Sequence, residues 1–122
     1  MQQYEKRIKT IAMMNNPNID KALKFIDENL DRPLTLSEVS NVCGMSKYHF
    51  SRVFKTVTGQ TFKEHHNQRR IEEAKKLLRK DTMRITEICY EIGFNDLSYF
   101  DRLFHRATGM SPSCYRDRFH KT

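Results

Sequence analysis

The sequence contains few of the residues that interrupt helices. Its 122 residues include only four glycines and three prolines, while 38% are hydrophobic and 30% are charged. This composition fits a helical globular protein better than a disordered tail or a β-sandwich. We therefore predict an all-α fold in a chain long enough for one compact domain or two small fused ones.

Cysteine is also sparse. The three cysteines, Cys43, Cys89 and Cys114, are too few and too widely spaced for a disulfide framework or a zinc site. We interpret all three as small buried hydrophobic residues, with redox sensing as the alternative. No apolar run has the length of a signal peptide or a membrane span. The sequence thus predicts a cytoplasmic protein without a membrane partner.

The net charge of +7 is concentrated in two segments. Residues 46–80 and 101–122 are strongly basic, whereas residues 16–45 and 81–100 are net acidic. A basic surface of this kind is typical of proteins that bind a polyanion such as DNA. Acidic partner proteins and anionic lipids would be attracted by the same charge.

The chain contains an internal repeat. Residues 36–44 (LSEVSNVCG) align with residues 85–93 (ITEICYEIG), and residues 50–59 (FSRVFKTVTG) align with residues 100–109 (FDRLFHRATG). The second pair aligns with one extra residue in the intervening turn of the second copy. Duplication of one structural unit is the simplest explanation. Each copy predicts a short helix, a tight turn at a glycine, and a second helix that ends at a left-handed glycine.

Capping residues mark where these helices begin. A capping box at residues 35–38 opens the first short helix, on which Leu36, Val39, Val42 and Cys43 are predicted to share one face. The other predicted caps are Ser46, then Asn95 or Asp96, then Ser111 before Pro112, with no cap at Arg84. Glu38 and Glu87 occupy matching positions, so we interpret them as helix-start caps rather than as a catalytic pair.

A second capping box, at residues 61–64, begins a helix that continues to about residue 79. Such a helix spans about 27 Å, close to the roughly 34 Å between major-groove positions one DNA turn apart. Before the first repeat, an apolar stripe from Ile19 to Leu30 predicts a flanking helix. We predict a polar arm or linker at 1–15, a first helix-turn-helix subdomain at 16–60, a linker helix at 61–80 and a second subdomain at 81–122.

The second helix of each copy has an apolar face and a polar face. The apolar positions are Phe50, Val53, Phe54 and Val57 in the first copy and Phe100, Leu103, Phe104 and Ala107 in the second. The outward positions are Tyr48, Ser51, Arg52 and Lys55, flanked by Lys47 and His49, and in the second copy Ser98, Asp101, Arg102 and His105. Arginine can bind guanine, aspartate can accept from cytosine, and tyrosine can pack on a thymine methyl. The alternative for either face is a solvated surface, but two matching faces favour DNA.

The second repeat also carries a long family pattern. Its residues are Ile85, Ile88, Ile92, Gly93, Phe94, Tyr99, Phe100, Phe104, Gly109, Ser111, Pro112, Tyr115 and Arg116. This pattern resembles the signature of the AraC/XylS family of bacterial transcription regulators, and the repeat extends the resemblance over residues 19–119. The resemblance implies seven helices in two helix-turn-helix units joined by a long linker helix. It also implies cytosolic transcription control and contact with RNA polymerase.

The resemblance implies site residues as well. The base-reading positions are Tyr48, Ser51 and Arg52 in the first unit and Leu97, Ser98, Asp101 and Arg102 in the second. The expected phosphate contacts are Lys47, Lys55, His105 and Arg106. Three residues depart from what the family usually has or from what base reading needs. Cys89 replaces a usual alanine, His105 replaces a usual lysine, and Leu97 cannot form a hydrogen bond with a base.

Other functions find little support in the sequence. No nucleophile and base pair, glycine-rich phosphate loop or metal-ligand spacing is present, so we predict no enzyme activity, cofactor, metal or small-molecule ligand within this chain. Two alternatives to a DNA-binding regulator remain. One is a protein-interaction module that has lost DNA readout. The other is the DNA-targeting part of an enzyme such as an alkyl-transfer repair protein. A regulator of this size is either a stand-alone protein or the output domain of a longer one.

Overall fold

The computed structural model describes residues 16–120, and the predicted arm at 1–15 lies outside the described residues. Within this range the chain forms seven helices and no strand, which confirms the all-α prediction. The helices are α1 (Pro17–Glu28), α2 (Leu36–Val42), α3 (Lys47–Thr58), α4 (Phe62–Lys80), α5 (Ile85–Glu91), α6 (Leu97–Thr108) and α7 (Pro112–Phe119). Between residues 16 and 120, no helix combines the length and the hydrophobicity needed to cross a membrane.

The described residues form two compact units. The first contains residues up to 29 and residues 34–65, and therefore holds α1, α2, α3 and the first turn of α4. The second contains residues 30–33 and the chain from residue 66 onward, including α5, α6 and α7. Each unit includes one copy of the sequence repeat.

In the first unit, side-chain caps fix the starts of α2 and α3 as predicted. The Glu38 amide donates to Thr35 Oγ1 at 3.1 Å, and the Thr35 amide donates to Glu38 Oε1 at 3.4 Å. Ser46 Oγ accepts from the His49 amide at 3.2 Å. The buried apolar side chains are Ile19, Ala22, Ile26, Val39, Cys43, Phe50, Phe54 and Val57.

One predicted core position of α2 is wrong. Val42 is 40% exposed, whereas Ser40 is buried and donates its hydroxyl to the Ser37 carbonyl at 3.1 Å. The helical angle explains the difference, because Ser40 lies only about 40° from Leu36 around the helix axis, whereas Val42 lies about 120° from it.

The second unit starts its short helix differently. Arg84 precedes α5 without a side-chain cap, as predicted, and Asp96 caps α6 by accepting from the Tyr99 amide at 3.2 Å. The predicted capping role of Glu87 is wrong, because its carboxylate lies 3.8 Å from Arg84 Nε instead. Arg84 has no hydroxyl with which to complete a capping box, so the glutamate pairs with the guanidinium.

The second unit has a continuous hydrophobic core. Its buried members are Ile71, Ala74, Leu78, Ile88, Cys89, Ile92, Phe94, Phe100, Phe104 and Tyr115. Ala107 was predicted to join them but is exposed. It stands in the last turn of α6 with a single methyl group, whereas the larger Val57 at the matching position of the first unit is buried.

The cysteines divide into two kinds. Cys43 and Cys89 are buried as predicted, and burial raises the pKa of both thiols, so both stay protonated near neutral pH. The prediction for Cys114 is wrong, since it is exposed. Cys114 occupies the first turn of α7, on the side away from the buried Tyr115 and Pro112.

Arg70 of α4 is a buried charged residue that the sequence did not reveal. Its side chain donates to the carbonyls of Arg32 and Gly93 at 2.9 Å each and to the Leu30 carbonyl at 3.4 Å. Its guanidinium carbon also lies 4.8 Å from the centre of the Phe94 ring, and the residue is only 6% exposed. Burial lowers the pKa of Arg70, but an arginine remains charged at physiological pH. Arg70 therefore ties the segment 30–33 to the turn between α5 and α6.

We predict that replacing each of the two turn glycines, Gly44 and Gly93, with Ala lowers stability by different amounts. Gly44 and Gly93 both have positive φ, so Ala at either position costs about 1–2 kcal/mol of backbone strain. A Cβ at Gly93 would also lie 2.6 Å from the Leu30 oxygen and 2.7 Å from Arg70 Nη2, whereas a Cβ at Gly44 meets nothing within 4 Å. We expect Gly93→Ala to lower the free energy of unfolding by about 1–3 kcal/mol more than Gly44→Ala in denaturant titrations. Equal losses would contradict the close packing around Gly93.

The buried guanidinium yields a second stability prediction. Arg70→Met removes three charged hydrogen bonds and leaves their carbonyls without these donors at a buried site, so we expect a loss of about 3–5 kcal/mol in the free energy of unfolding. Lys76→Met is the control, because Lys76 is an exposed residue of the same helix that pairs with Glu73 at 3.3 Å. That control should change the stability by less than about 0.5 kcal/mol. Similar losses for the two variants would show that Arg70 has no special role.

Candidate nucleic-acid interface

Helix α3 presents its polar face to solvent because its aromatic face is buried. Phe50 and Phe54 are completely buried, with ring centroids 5.3 Å apart, and both contact the Phe62 ring. The six residues predicted to face outward, Lys47, Tyr48, His49, Ser51, Arg52 and Lys55, are all exposed. Tyr48 is 85% exposed, so its ring is free to stack on or pack against a ligand.

An open groove of about 450 Å³ lies on this outward face. It is lined by Tyr48, Ser51, Arg52, Lys55 and Thr56 of α3 and by Thr61 and Phe62 at the start of α4. The structure thus brings together all three base-reading candidates of the first unit with one phosphate candidate. Lys47 is exposed but does not line the groove. The sequence did not indicate that the start of α4 would form one wall.

The start of α4 carries a negative charge at the edge of the groove. The Thr61 amide donates to Glu64 Oε1 at 2.9 Å, and the Glu64 amide donates to Thr61 Oγ1 at 3.1 Å, as the predicted capping box requires. These bonds with Thr61, together with the positive charge of Lys55, lower the pKa of Glu64. The ionised carboxylate therefore occupies the helix N-terminus that would otherwise attract a phosphate. Within the lining of this groove, Arg52 and Lys55 supply the positive charge that can attract an anion.

Helix α6 presents a matching face in the second unit. Its Phe100 and Phe104 are completely buried, while Ser98, Asp101, Arg102, His105 and Arg106 are exposed. Leu97 differs from the other base-reading candidates because it is half-buried and packs against the core of the second unit. Only part of its side chain is available for an apolar contact.

Arg102 has an aromatic neighbour on its own helix. Its guanidinium carbon lies 5.9 Å from the centre of the Tyr99 ring, and the Tyr99 hydroxyl accepts a hydrogen bond from Asn67 Nδ2 of α4 at 3.1 Å. Neither Tyr99 nor Asn67 was among the predicted site residues. The spacing of three residues between Tyr99 and Arg102 places both on one side of a helix and could have indicated their contact. No local pattern indicates the contact with Asn67.

The two faces offer hydrogen-bonding side chains and positive charge. Among residues 16–120, histidine, cysteine and carboxylate side chains form no group of three or more that could hold a metal ion. Arginine, serine and aspartate can exchange hydrogen bonds with base edges, and lysine or arginine can neutralise phosphates. This chemistry suits the surface of a nucleic acid.

Similarity to known proteins points the same way. A family model described as a helix-turn-helix domain matches residues 39–118. The chain is 36% identical over 106 residues to the regulatory protein SoxS of Salmonella typhimurium. The aligned residues cover 87% of this chain and 99% of SoxS. It is 34% identical to the MmsAB operon regulatory protein of Pseudomonas aeruginosa over 83% of this chain. It is 35% identical to the bifunctional transcriptional activator/DNA repair enzyme AdaA of Bacillus subtilis over 80% of this chain. The chain spans only 33% and 46% of those two longer proteins.

Solved structures share the fold. The C-terminal domain of the response regulator AraT from Geobacillus stearothermophilus superposes with a TM-score of 0.83 and 29% identity, over 87% of this chain and 88% of that domain. The DNA-binding domain of AdpA, solved in complex with a target DNA, superposes with a TM-score of 0.80 and 23% identity, over 83% of this chain and 91% of that domain. The chain belongs to the AraC/XylS family of helix-turn-helix, DNA-binding transcription regulators.

Proposed function

We propose that this protein regulates transcription by inserting α3 and α6 into successive major-groove segments of a specific double-stranded DNA site. The observation that supports this most strongly is the matched pair of helices. Each buries two phenylalanines and exposes an arginine at the same repeat position, Arg52 in α3 and Arg102 in α6. A solvated surface needs no such match, whereas two readers of one DNA duplex do.

The proposed base contacts follow from the exposed groups. Arg52 and Arg102 are suited to the O6 and N7 atoms of guanine, Asp101 to the amino group of cytosine, and the Tyr48 ring to a thymine methyl. Ser51 and Ser98 add hydrogen bonds, and Leu97 contributes an apolar contact with its exposed part. Lys47, Lys55, His105 and Arg106 would contact phosphates.

The proposal also includes a cellular compartment and a protein partner. We propose that the protein acts in the bacterial cytoplasm, where the chromosome lies. We also propose that it contacts RNA polymerase, as the family resemblance implies. Under this proposal, the protein regulates transcription by binding and catalyses no reaction.

The similarity to AdaA favours a second candidate. AdaA is a DNA repair enzyme as well as a transcriptional activator, and this chain spans 46% of it. The corresponding candidate function is DNA targeting for a repair activity. A binding comparison separates the two: preference for alkylated over undamaged DNA of the same sequence supports the second candidate, and binding that depends on sequence and not on damage supports the first.

Salt dependence tests the phosphate contacts. Each phosphate neutralised by the protein releases counterions, so the logarithm of the binding constant should fall with the logarithm of salt concentration by about 0.9 per contact. We expect Lys55→Ala and Arg106→Ala each to reduce this slope by about 1 without changing base preference. Lys24→Ala is the control, because Lys24 is 80% exposed on α1 and pairs with Glu28. Binding that does not vary between low and physiological salt would argue against these contacts.

Base preference tests the reading arginines. We expect Arg52→Ala and Arg102→Ala each to cost about 1–3 kcal/mol of specific binding and to relax base preference in different halves of the site, with little change in non-specific affinity. Selection of bound DNA from a random pool measures both effects. Arg84→Ala provides a matched control, since Arg84 is an exposed arginine of the second unit outside both reading helices. Unchanged preferences in both variants would exclude base reading by the two arginines.

A further inference from the structure

We infer that Tyr99 is a positioning residue for Arg102, and that Asn67 of the linker helix holds Tyr99 in place for this role. The inference rests on the proposed function and extends it to residues outside the reading face. It predicts that base preference in one half of the DNA site depends on a side chain of α4.

The contacts on Tyr99 restrain its ring on two sides. The side-chain amide of Asn67 donates to the Tyr99 hydroxyl at 3.1 Å, and the Tyr99 and Phe94 rings pack in an edge-to-face arrangement, with centroids 6.1 Å apart. Phe94 in turn is buried beneath the guanidinium of Arg70. The half-buried ring of Tyr99 therefore packs against the buried core of the second unit, although it lies beside an exposed helix face.

Arg102 benefits from such a fixed neighbour. An exposed arginine samples many rotamers, and ordering it on DNA costs conformational entropy. A guanidinium that lies 5.9 Å from an aromatic ring is attracted to the face of that ring and samples fewer of these rotamers before binding. The ring thus prepares Arg102 for a two-bond contact with guanine, which tolerates little misalignment.

The first unit lacks the corresponding arrangement. Exposed His49 stands at the repeat position of Tyr99, and within residues 16–120 no aromatic ring lies over the guanidinium of Arg52. Arg52 instead lines the groove with Tyr48 and Lys55. The surroundings of the two reading arginines therefore differ, and only the arginine in α6 should respond to changes at Asn67.

The test compares Asn67→Ala, Tyr99→Phe and the double variant in selections from a random DNA pool. Each single variant removes the hydrogen bond from one side while the ring remains. We expect either one to relax preference at the bases read by Arg102 and to weaken specific binding about two- to fivefold, with no change in the half read by Arg52. The double variant should resemble the single ones, and in an Arg102→Ala background neither substitution should have a further effect. Tyr90→Phe is the control, because it removes the hydroxyl of an exposed tyrosine of the same unit.

A spectroscopic measurement separates positioning from a general loss of structure. In the free protein, the order parameter of the Arg102 Nε–H group should fall in both single variants, while the melting temperature and the backbone order of α6 remain close to those of the wild type. Unchanged Arg102 order and unchanged base preference in Asn67→Ala would overturn the inference. So would a loss of affinity in Tyr99→Phe alone, because that result would indicate a direct contact between the hydroxyl and DNA. Failure of the wild-type protein to select any sequence would instead refute the proposed function.

Discussion

The buried guanidinium of Arg70 is the constraint around which the second unit is organised. A charge placed in a dry interior is costly unless its donors are satisfied, and here the three hydrogen bonds all go to backbone carbonyls. Those carbonyls belong to two segments far apart in the chain, residues 30–33 and the turn at Gly93. Their positions are therefore fixed relative to α4. The glycine is part of the same constraint, because a Cβ there would collide with both the guanidinium and the 30–33 backbone.

The two units reach the same local form with different interactions. In the first, Thr35 and Glu38 close a capping box at the start of the short helix, and the turn glycine, Gly44, has open space around it. In the second, Arg84 supplies no cap, and the turn is instead held from outside by Arg70. Two copies of a duplicated sequence can thus keep the same helix-turn-helix geometry with different stabilising interactions. One copy uses a local helix cap, and the other uses a contact with a residue distant in sequence.

This difference explains which features could be predicted from the sequence. Helix positions, the caps at Ser46 and Asp96, and the exposed faces of α3 and α6 depend on residues a few positions apart, so periodicity and capping rules identified them. Arg70 and Asn67 could not be identified in this way, because their partners are distant in sequence. Val42, Ala107 and Cys114 were assigned to the interior from residue type and spacing alone. Each lies at the edge of the apolar face or at the end of its helix, where the depth of the neighbouring core decides burial.

The proposed DNA-binding faces of the two units also differ. In the first unit, Arg52 and Lys55 share an open groove with Tyr48, and the charge of Glu64 at the start of α4 stands beside the lysine. Several side chains there can adjust to a base or a phosphate. In the second unit, Leu97 is partly committed to the core and Arg102 lies near a ring that the linker helix restrains. The proposed positioning by this ring leaves Arg102 better ordered before it meets DNA. A family of regulators that share this fold could therefore change the specificity of one half of the site by substitutions on the reading helix. In the other half, a substitution on the linker helix would have the same effect without altering any residue that touches DNA.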